Sequence, residues 1–352
     1  MTIQLIYDLD LAALSSILAE WGEPAYRARQ IWQGLYQHLW ASPDEFPMLP
    51  KALRQKTADT FSFAHLRPVT VLESSDGETR KTLFQLPDQQ LIEAVLMRYE
   101  KRRTLCISTQ AGCAMGCVFC ATGQMGFRRH LSSGEIVEQV LYYARLLKAQ
   151  NETVTNVVIM GMGEPFHNYE ATLAAIDRLN DAEGFNFGER RITLSTVGLP
   201  PMIRRFANEK RQVNLAISLH AAEDVLRSSL LPVNKKYPLD EVFRACLDYV
   251  EKTHRRISFE WALIQNVNDT AEQARLLAAR LQQFQRGGSM LCHVNVIPLN
   301  PTQKYDGQAA TRQRAEAFRA ILEQAKIPCS IRLRRGIDIR AGCGQLAGQP
   351  PI

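Results

Sequence analysis

Cys113, Cys117 and Cys120 form a C-x3-C-x2-C loop, with Gly112, Gly116, Gly123 and Gly126 within and around it. Thiolates at this spacing bind soft metals, and the glycines free the backbone to wrap something bulky. The count of three is informative. A structural zinc site closes with four ligands, usually as two separated C-x2-C pairs, and no second pair follows. A cubane iron–sulfur cluster on three cysteines keeps one iron open to an exogenous ligand, whereas an electron carrier is normally closed by a fourth. Zinc remains the alternative reading. A second chemical candidate is Glu93, inside the apolar run Leu91-Ile-Glu-Ala-Val-Leu96. A lone carboxylate there is either functional or paired, with Arg98 or Arg103 as the ordinary partner.

The elements that would position these residues follow a simple pattern. From Thr104 onward, short apolar strands alternate with amphipathic helices: strands at Leu105–Ser108, Val154–Met160, Arg191–Thr196, Asn214–Ser218, Ile257–Leu263 and Leu291–Ile297, and a last one at Ser330–Leu333. Helices are expected at Ser133–Lys148, Tyr169–Leu179, Leu239–Lys252, Thr270–Phe284 and Arg312–Ala325. Serial β-α units make a parallel sheet, open or wound into a barrel, whose reactive loops lie at the carboxyl ends of the strands. The cysteine loop, Gly161–Pro165, Ser195–Gly198, Ser218–His220 and Pro298–Pro301 all fall at such ends. One site at the mouth of an α/β barrel is expected. Before it, residues 1–90 read as a small helical domain with a strand-rich connector: apolar residues recur at helical spacing from Leu9 to Tyr36, Pro43, Pro47 and Pro50 interrupt, and a short helix spans Lys51–Thr60. The domain boundary is expected near residue 90, with residues 91–352 forming the core.

The loop Gly112-Cys-Ala-Met-Gly-Cys-Val-Phe-Cys120 is similar to the signature of the radical S-adenosylmethionine (SAM) superfamily, including the aromatic Phe119 beside the last cysteine. The stretch from Cys106 through Gly134-Glu-Ile-Val137 resembles the RlmN/Cfr family of RNA adenosine methyltransferases, closest to its RlmN branch. So do Gly161-Met-Gly-Glu-Pro165, Leu194–Gly198, Ala216–Ala221, Tyr237-Pro-Leu239, His293–Pro298 with Asn300-Pro301, and Asp338–Leu346. Tyr26–Trp32 resembles that family's N-terminal helical domain. The resemblance implies a partial (βα)6 TIM-like barrel and a 4Fe–4S cluster on Cys113, Cys117 and Cys120, with SAM on its open iron and two SAM molecules consumed per turnover.

An adenine carbon bearing hydrogen is too electron-poor to attack SAM directly. The family's route places the methyl on a protein cysteine first, abstracts hydrogen from that S-methyl group, adds the resulting radical to the base and releases the adduct by a disulfide exchange. Cys343, between Gly342 and Gly344, matches the methyl-carrying cysteine, and its glycines suit a mobile loop. Gly342 stands where the family more often has alanine, a change expected to loosen the loop. Cys106 matches the resolving cysteine, and Glu93 matches the proton acceptor. Gly163, Glu164, Ser195, Ser218, Leu219, His220 and Asn300 match contacts to SAM. Without the resemblance these residues read as caps, turns and, for His220, a satisfied core histidine. Cys246, Cys292 and Cys329 read as core or surface thiols.

Composition is consistent with this reading. At 46% hydrophobic and 22% charged residues, collagen-like and low-complexity chains are excluded. No apolar run spans a membrane and no basic leader precedes Arg27, so a cytoplasmic protein is expected. Net charge is +6, but residues 1–90 hold 8 basic and 11 acidic side chains against 34 and 25 in the remainder. The core therefore carries the surplus that a polyanion would meet, with doublets at Arg102-Arg103, Arg128-Arg129, Lys235-Lys236, Arg255-Arg256 and Arg334-Arg335 as candidate phosphate contacts. The implied activity is methylation of adenosine carbon 2 in 23S ribosomal RNA, with tRNA as a further candidate substrate and a flavodoxin or ferredoxin as electron donor to a monomeric enzyme. Methylation at carbon 8, or an iron–sulfur module that binds RNA or carries electrons without catalysis, are the rival readings.

Overall fold

The structure is a computed structural model that describes residues 3–347, so residues 1–2 and 348–352 of the two domain assignments lie outside the described residues. Ten strands build one sheet: β1 (Arg67–Glu73), β2 (Thr79–Gln85), β3 (Leu91–Arg98), β4 (Arg103–Cys106), β5 (Asn156–Ile159), β6 (Ile192–Thr196), β7 (Asn214–Ser218), β8 (Ile257–Leu263), β9 (Cys292–Pro298) and β10 (Cys329–Ile331). Their spatial order is their order in the chain. From β4 to β10 every pairing is parallel, while β1 to β4 form an antiparallel meander. The expected parallel strands agree with the observed ones to within about two residues. Their central residues are wholly buried (Val157, Leu194, Ala216, Phe259, Val294), as strands covered on both faces require.

The intervening helices bury one stripe each. In Leu239–Thr253 the buried residues are Leu239, Val242, Phe243, Ala245, Cys246, Tyr249 and Val250, spaced three and four apart. Cys246 and Cys292 lie in the core and Cys329 at its margin. Three helices escape the sequence pattern: the five-residue Ala121–Met125, Pro200–Asn208, which begins on a Pro-Pro pair that reads as a breaker, and the seven-residue Asp224–Leu230. Proline is tolerated in a first helical turn because the missing N–H has no partner there anyway.

The N-terminal segment supplies helices α1 (Leu11–Glu20), α2 (Tyr26–Gln33) and α3 (Lys51–Thr60). Its apolar side chains join the same continuous core as the barrel. It docks on the first turn of α4 (Ser133–Lys148), where Asp8 Oδ1 accepts from the Gly134 N–H at 2.7 Å and the Ser133 hydroxyl at 3.3 Å. A side chain at Gly134 would meet the Asp8 backbone at 2.8 Å, so only glycine permits this approach. Arg178 completes the seam by donating to the carbonyls of Leu9 and Asp8 at 2.9 and 2.5 Å. None of the helices among the described residues is long and apolar enough to cross a membrane.

Asp8 caps a core helix from a distant part of the chain, so Asp8→Ala leaves the first-turn donors of α4 short of an acceptor. The expected loss is about 1–2 kcal/mol, read as a lower urea midpoint with an unchanged slope.

Candidate active site

After β4 the chain makes a short antiparallel hairpin, Gln110–Gly112 with Phe127–His130, and the three-cysteine loop is the excursion between its arms. The sequence pattern did not reveal this hairpin, because arms of three and four residues are too short to show periodicity. Gly112 closes its neck with φ +73°, and a Cβ there would lie 1.9 Å from the Gly126 carbonyl oxygen. The loop thus leaves and re-enters the fold at one point. Its three thiols face a cleft enclosing about 980 Å³, part of it open to solvent, at the carboxyl ends of β5 to β9. Among the described residues no three His, Cys, Asp or Glu side chains come together closely enough for a lone metal ion. On a polynuclear cluster each of the three thiols would bind a different iron. Burial pushes the Cys113 thiol up to about 12 and raises Cys117 well above the usual thiol value, so these groups need a metal to hold them as thiolates.

Most of the expected SAM contacts line the same cleft: Gly163, Glu164, Ser195, Ser218, His220 and Asn300, with Cys343 and Phe119. Glu164 is buried and accepts from the N–H groups of Val197 at 2.8 Å and Phe166 at 3.0 Å. Burial raises its carboxyl to about 7 despite those donors. The hydroxyls of Ser195 and Ser218 lie 3.3 Å apart on adjacent strand ends. His220 adopts φ +62°, accepts from the Ala262 N–H at Nδ1 (2.8 Å), and meets the Phe119 ring edge-on at 5.0 Å. Burial lowers its pKa to about 3, so it is a neutral, Nε2-protonated donor. Leu219 departs from the expectation: its side chain is fully buried, and its N–H and C=O are engaged by Glu260 O and Arg227 Nε, so it does not face the cleft. Two buried acceptors in the wall, Asn300 Oδ1 and Glu260 Oε2, have no donor among the described residues. A ligand rich in N–H and O–H groups, as SAM is, fits that deficit.

The segment Gly342–Ala347 lies across the mouth and is held on both sides. Ala121 N–H donates to Gly344 O at 2.7 Å, Thr122 Oγ1 to Leu346 O at 2.6 Å and Asn300 Nδ2 to Cys343 O at 3.0 Å. Gln345 Nε2 donates to Pro301 O at 3.0 Å, and the Ala347 N–H to Glu93 Oε2 at 2.8 Å. The expected mobile loop is therefore a pinned strap with one exposed side chain, Cys343. Gly342 tightens rather than loosens it, since an added Cβ would stand 2.6 Å from the Asn300 amide. Cys106 lies below the cleft wall, mostly buried, close enough for its charge to interact with that of Cys343. Arg332, unmarked in the sequence, is placed to favour the ionised forms of both thiols, against the burial of Cys106. All eight cysteines are free thiols.

On the other side of the strap lies a second, larger cavity containing Lys81, Glu93, Arg128, Lys304, Asp338 and Arg340. Glu93 is paired, but with Lys81 at 2.9 Å rather than with Arg98 or Arg103, which both bind Glu152. The register explains it: β2 and β3 run antiparallel, with Lys81 opposite Val95 and Leu83 opposite Glu93, so Lys81 and Glu93 share a face two residues apart. Among the doublets, Arg103, Arg129 and Arg335 are engaged by Glu152, by Asp88 and Glu135, and by Glu78, whereas Arg128 faces this cavity.

Gly112→Ala forces the hairpin neck open, and the reconstituted variant is expected to hold less than half the wild-type iron per chain, measured by iron and sulfide analysis. Glu164 supplies a pH effect. Its folded pKa of about 7 lies above the unfolded 4.5, so its favourable contribution is complete below pH 4.5 and disappears as pH rises through 7. Metal-free, SAM-free Glu164→Gln should lose on the order of 3 kcal/mol of the wild type's decline in unfolding free energy across that window, measured by urea titration.

The likenesses to known proteins run the length of the chain. Residues 107–277 match the model of the radical SAM superfamily and residues 5–62 that of the ribosomal RNA large subunit methyltransferase N-terminal domain. A probable dual-specificity RNA methyltransferase RlmN of Chloroflexus aurantiacus is 48% identical, covering 99% of this chain and 93% of its own. The dual-specificity RNA methyltransferase RlmN 1 of Myxococcus xanthus is 51% identical over 97% and 93%. The crystal structure of a radical SAM methyltransferase from Sphaerobacter thermophilus superposes with a TM-score of 0.94 at 49% identity, covering 98% of this chain and 100% of that one. Near half-identity over almost every residue, on a barrel whose three-thiol loop and carboxy-terminal thiol face one cleft, places the chain in the RlmN family of radical SAM RNA methyltransferases.

Proposed function

We infer that this enzyme methylates carbon 2 of adenosine in 23S ribosomal RNA and in tRNA, carrying the methyl group on Cys343. The observation that supports this most is the position of the strap. Cys343 faces the cleft with Cys113, Cys117 and Cys120, while the residues that follow it border the basic cavity holding Glu93. A sulfur at that boundary can meet SAM on one side and a base on the other. Cys113, Cys117 and Cys120 would hold the cluster, and Gly163, Glu164, Ser195, Ser218, His220 and Asn300 would hold SAM. When bound, the pair would supply a methyl group from one SAM and the means of hydrogen abstraction from a second, so two SAM would be used per turnover.

The chain's own residues do the rest. Cys343 sulfur, with Arg332 favouring its thiolate, attacks the methyl carbon of the sulfonium; the new S–CH3 bond forms as the old one breaks, and S-adenosylhomocysteine leaves. The base enters from the Arg128 side, and once it is joined to the Cys343 methylene the radical adduct gives up one electron while Glu93 takes the proton from carbon 2, which restores the aromatic ring. Lys81 and the Ala347 N–H hold Glu93 aimed for that task. The Cys106 thiolate then attacks Cys343 sulfur, the S–S bond forms as the S–CH2 bond breaks, and the methylene leaves with the base as a carbanion that takes up a proton to become its methyl group. Residues 1–90 serve RNA recognition, docked through Asp8 and Arg178 rather than by a basic surface of their own. A low-potential flavodoxin or ferredoxin supplies the electrons in the cytoplasm.

Purified, anaerobically reconstituted enzyme with reductant, labelled SAM and RNA fragments should yield 2-methyladenosine by nucleoside mass spectrometry. A product methylated at carbon 8 would overturn the position. Cys343→Ala should take up no label on the protein, and Cys106→Ala should accumulate a covalent protein–RNA adduct on denaturing gels. Clean turnover by either would refute its assigned role.

A further inference from the structure

Glu260 is the acidic residue of the cleft for which the reaction above finds no use. It occupies the middle of β8, 97% buried, opposite Ser218 on β7 and Asn295 on β9. Its two oxygens are unequally served. Oε1 accepts from Asn295 Nδ2 at 2.7 Å and lies 3.7 Å from the Arg332 guanidinium. Oε2 is buried, belongs to a residue of the cleft wall, and has no donor among the described residues. A carboxylate oxygen left in that state bears its full desolvation cost unless a ligand completes it.

The surroundings define the missing donor. Arg332 and Asn295 already compensate the charge on Oε1, and a second cation would face the guanidinium at close range, which disfavours an ammonium group. A neutral O–H or N–H is called for. The same cleft wall carries the pair of hydroxyls of Ser195 and Ser218, 3.3 Å apart, with Ser218 directly across from Glu260 in the strand register. Two hydroxyls beside an acceptor carboxylate form a recognition set for a sugar diol, since carboxylates accept well from ribose hydroxyls and each serine can donate or accept. We propose that Glu260 binds a ribose hydroxyl of the adenosyl cofactor through Oε2, which makes it a specificity-determining residue for the nucleoside part of SAM. The proposal rests on the reading that SAM occupies this cleft.

The test is equilibrium binding to the anaerobically reconstituted holoenzyme, with SAM, 5′-methylthioadenosine, its 2′-deoxy and 3′-deoxy analogues, and methionine as probes. In the wild type, loss of one of the two hydroxyls should weaken methylthioadenosine binding about tenfold, as expected for a hydrogen bond to a charged acceptor. Glu260→Gln should bind methylthioadenosine about tenfold more weakly, bind methionine as the wild type does, and no longer distinguish the deoxy analogue. Unchanged methylthioadenosine binding by Glu260→Gln, or a wild type blind to both deoxy analogues, overturns the assignment. So does an equal loss of methionine binding, which marks general damage to the cleft. The wild-type comparison needs no variant, so a poorly folding mutant leaves a decisive arm. A wild type that binds neither SAM nor methylthioadenosine removes the cofactor reading itself, an outcome distinct from failure of the Glu260 contact alone.

Discussion

The strap Gly342–Ala347 is the constraint on which the site depends. Cys343 is remote in sequence from the cysteine loop, and nothing in the local chemistry of a Gly-Cys-Gly turn would place it there. Its position results from hydrogen bonds on three sides: to Ala121 and Thr122 just beyond the cysteine loop, to Asn300 and Pro301 at the end of β9, and to Glu93 on β3. Each is of ordinary strength, about 1 kcal/mol net, but together they fix the backbone on both sides of the one exposed thiol. The strap is also a partition. It divides a cleft lined by thiols, strand-end hydroxyls and apolar side chains from a cavity lined by basic residues, and the proposed reaction needs a sulfur with access to both.

Within the cleft the governing effect is burial of polar groups against an apolar wall. The Cys113 and Cys117 thiols and Glu164 are pushed toward their neutral forms, and His220 is held neutral. Such groups keep their charge only when a cation is near. Two cations of the protein are placed for this, Lys81 on Glu93 and Arg332 beside Glu260 and the paired thiols. A third, Arg227, is buried and spends its donors on the carbonyls of Val197 and Leu219 and on Asn234, which bind together the loops after β6 and β7. The loop geometry at those strand ends is thus held by a charge that never faces the ligand.

The N-terminal helices show why a net-acidic segment can belong to a protein that acts on RNA. Asp8 is used as a helix cap and the Asp8 and Leu9 carbonyls as acceptors for Arg178, so part of this segment's polarity is directed inward at the barrel. The central sheet likewise ignores the boundary near residue 90: β1 and β2 lie before it and pair, strand by strand, with β3 and β4 after it.

Much of this was legible in the residues alone. Alternation of apolar strands with amphipathic helices is a local property, so the parallel strands and most helices could be read with their boundaries, and with them the rule that reactive loops gather at strand ends. The three-cysteine spacing and the order of motifs were equally local. What could not be read were relations between distant residues: that Glu93 pairs with Lys81 through strand register, that Leu219 turns inward, that the Cys343 turn is pinned, and that Arg332 and Glu260 reach the same cleft. Glu260 did carry a signal, a carboxylate within the apolar run Ile-Ser-Phe-Glu-Trp-Ala-Leu, the same pattern that singled out Glu93. Periodicity reports which face a side chain takes within its own element. Which partner waits on that face is set by how the sheet curls and where the chain's end comes to rest, and only the folded protein decides that.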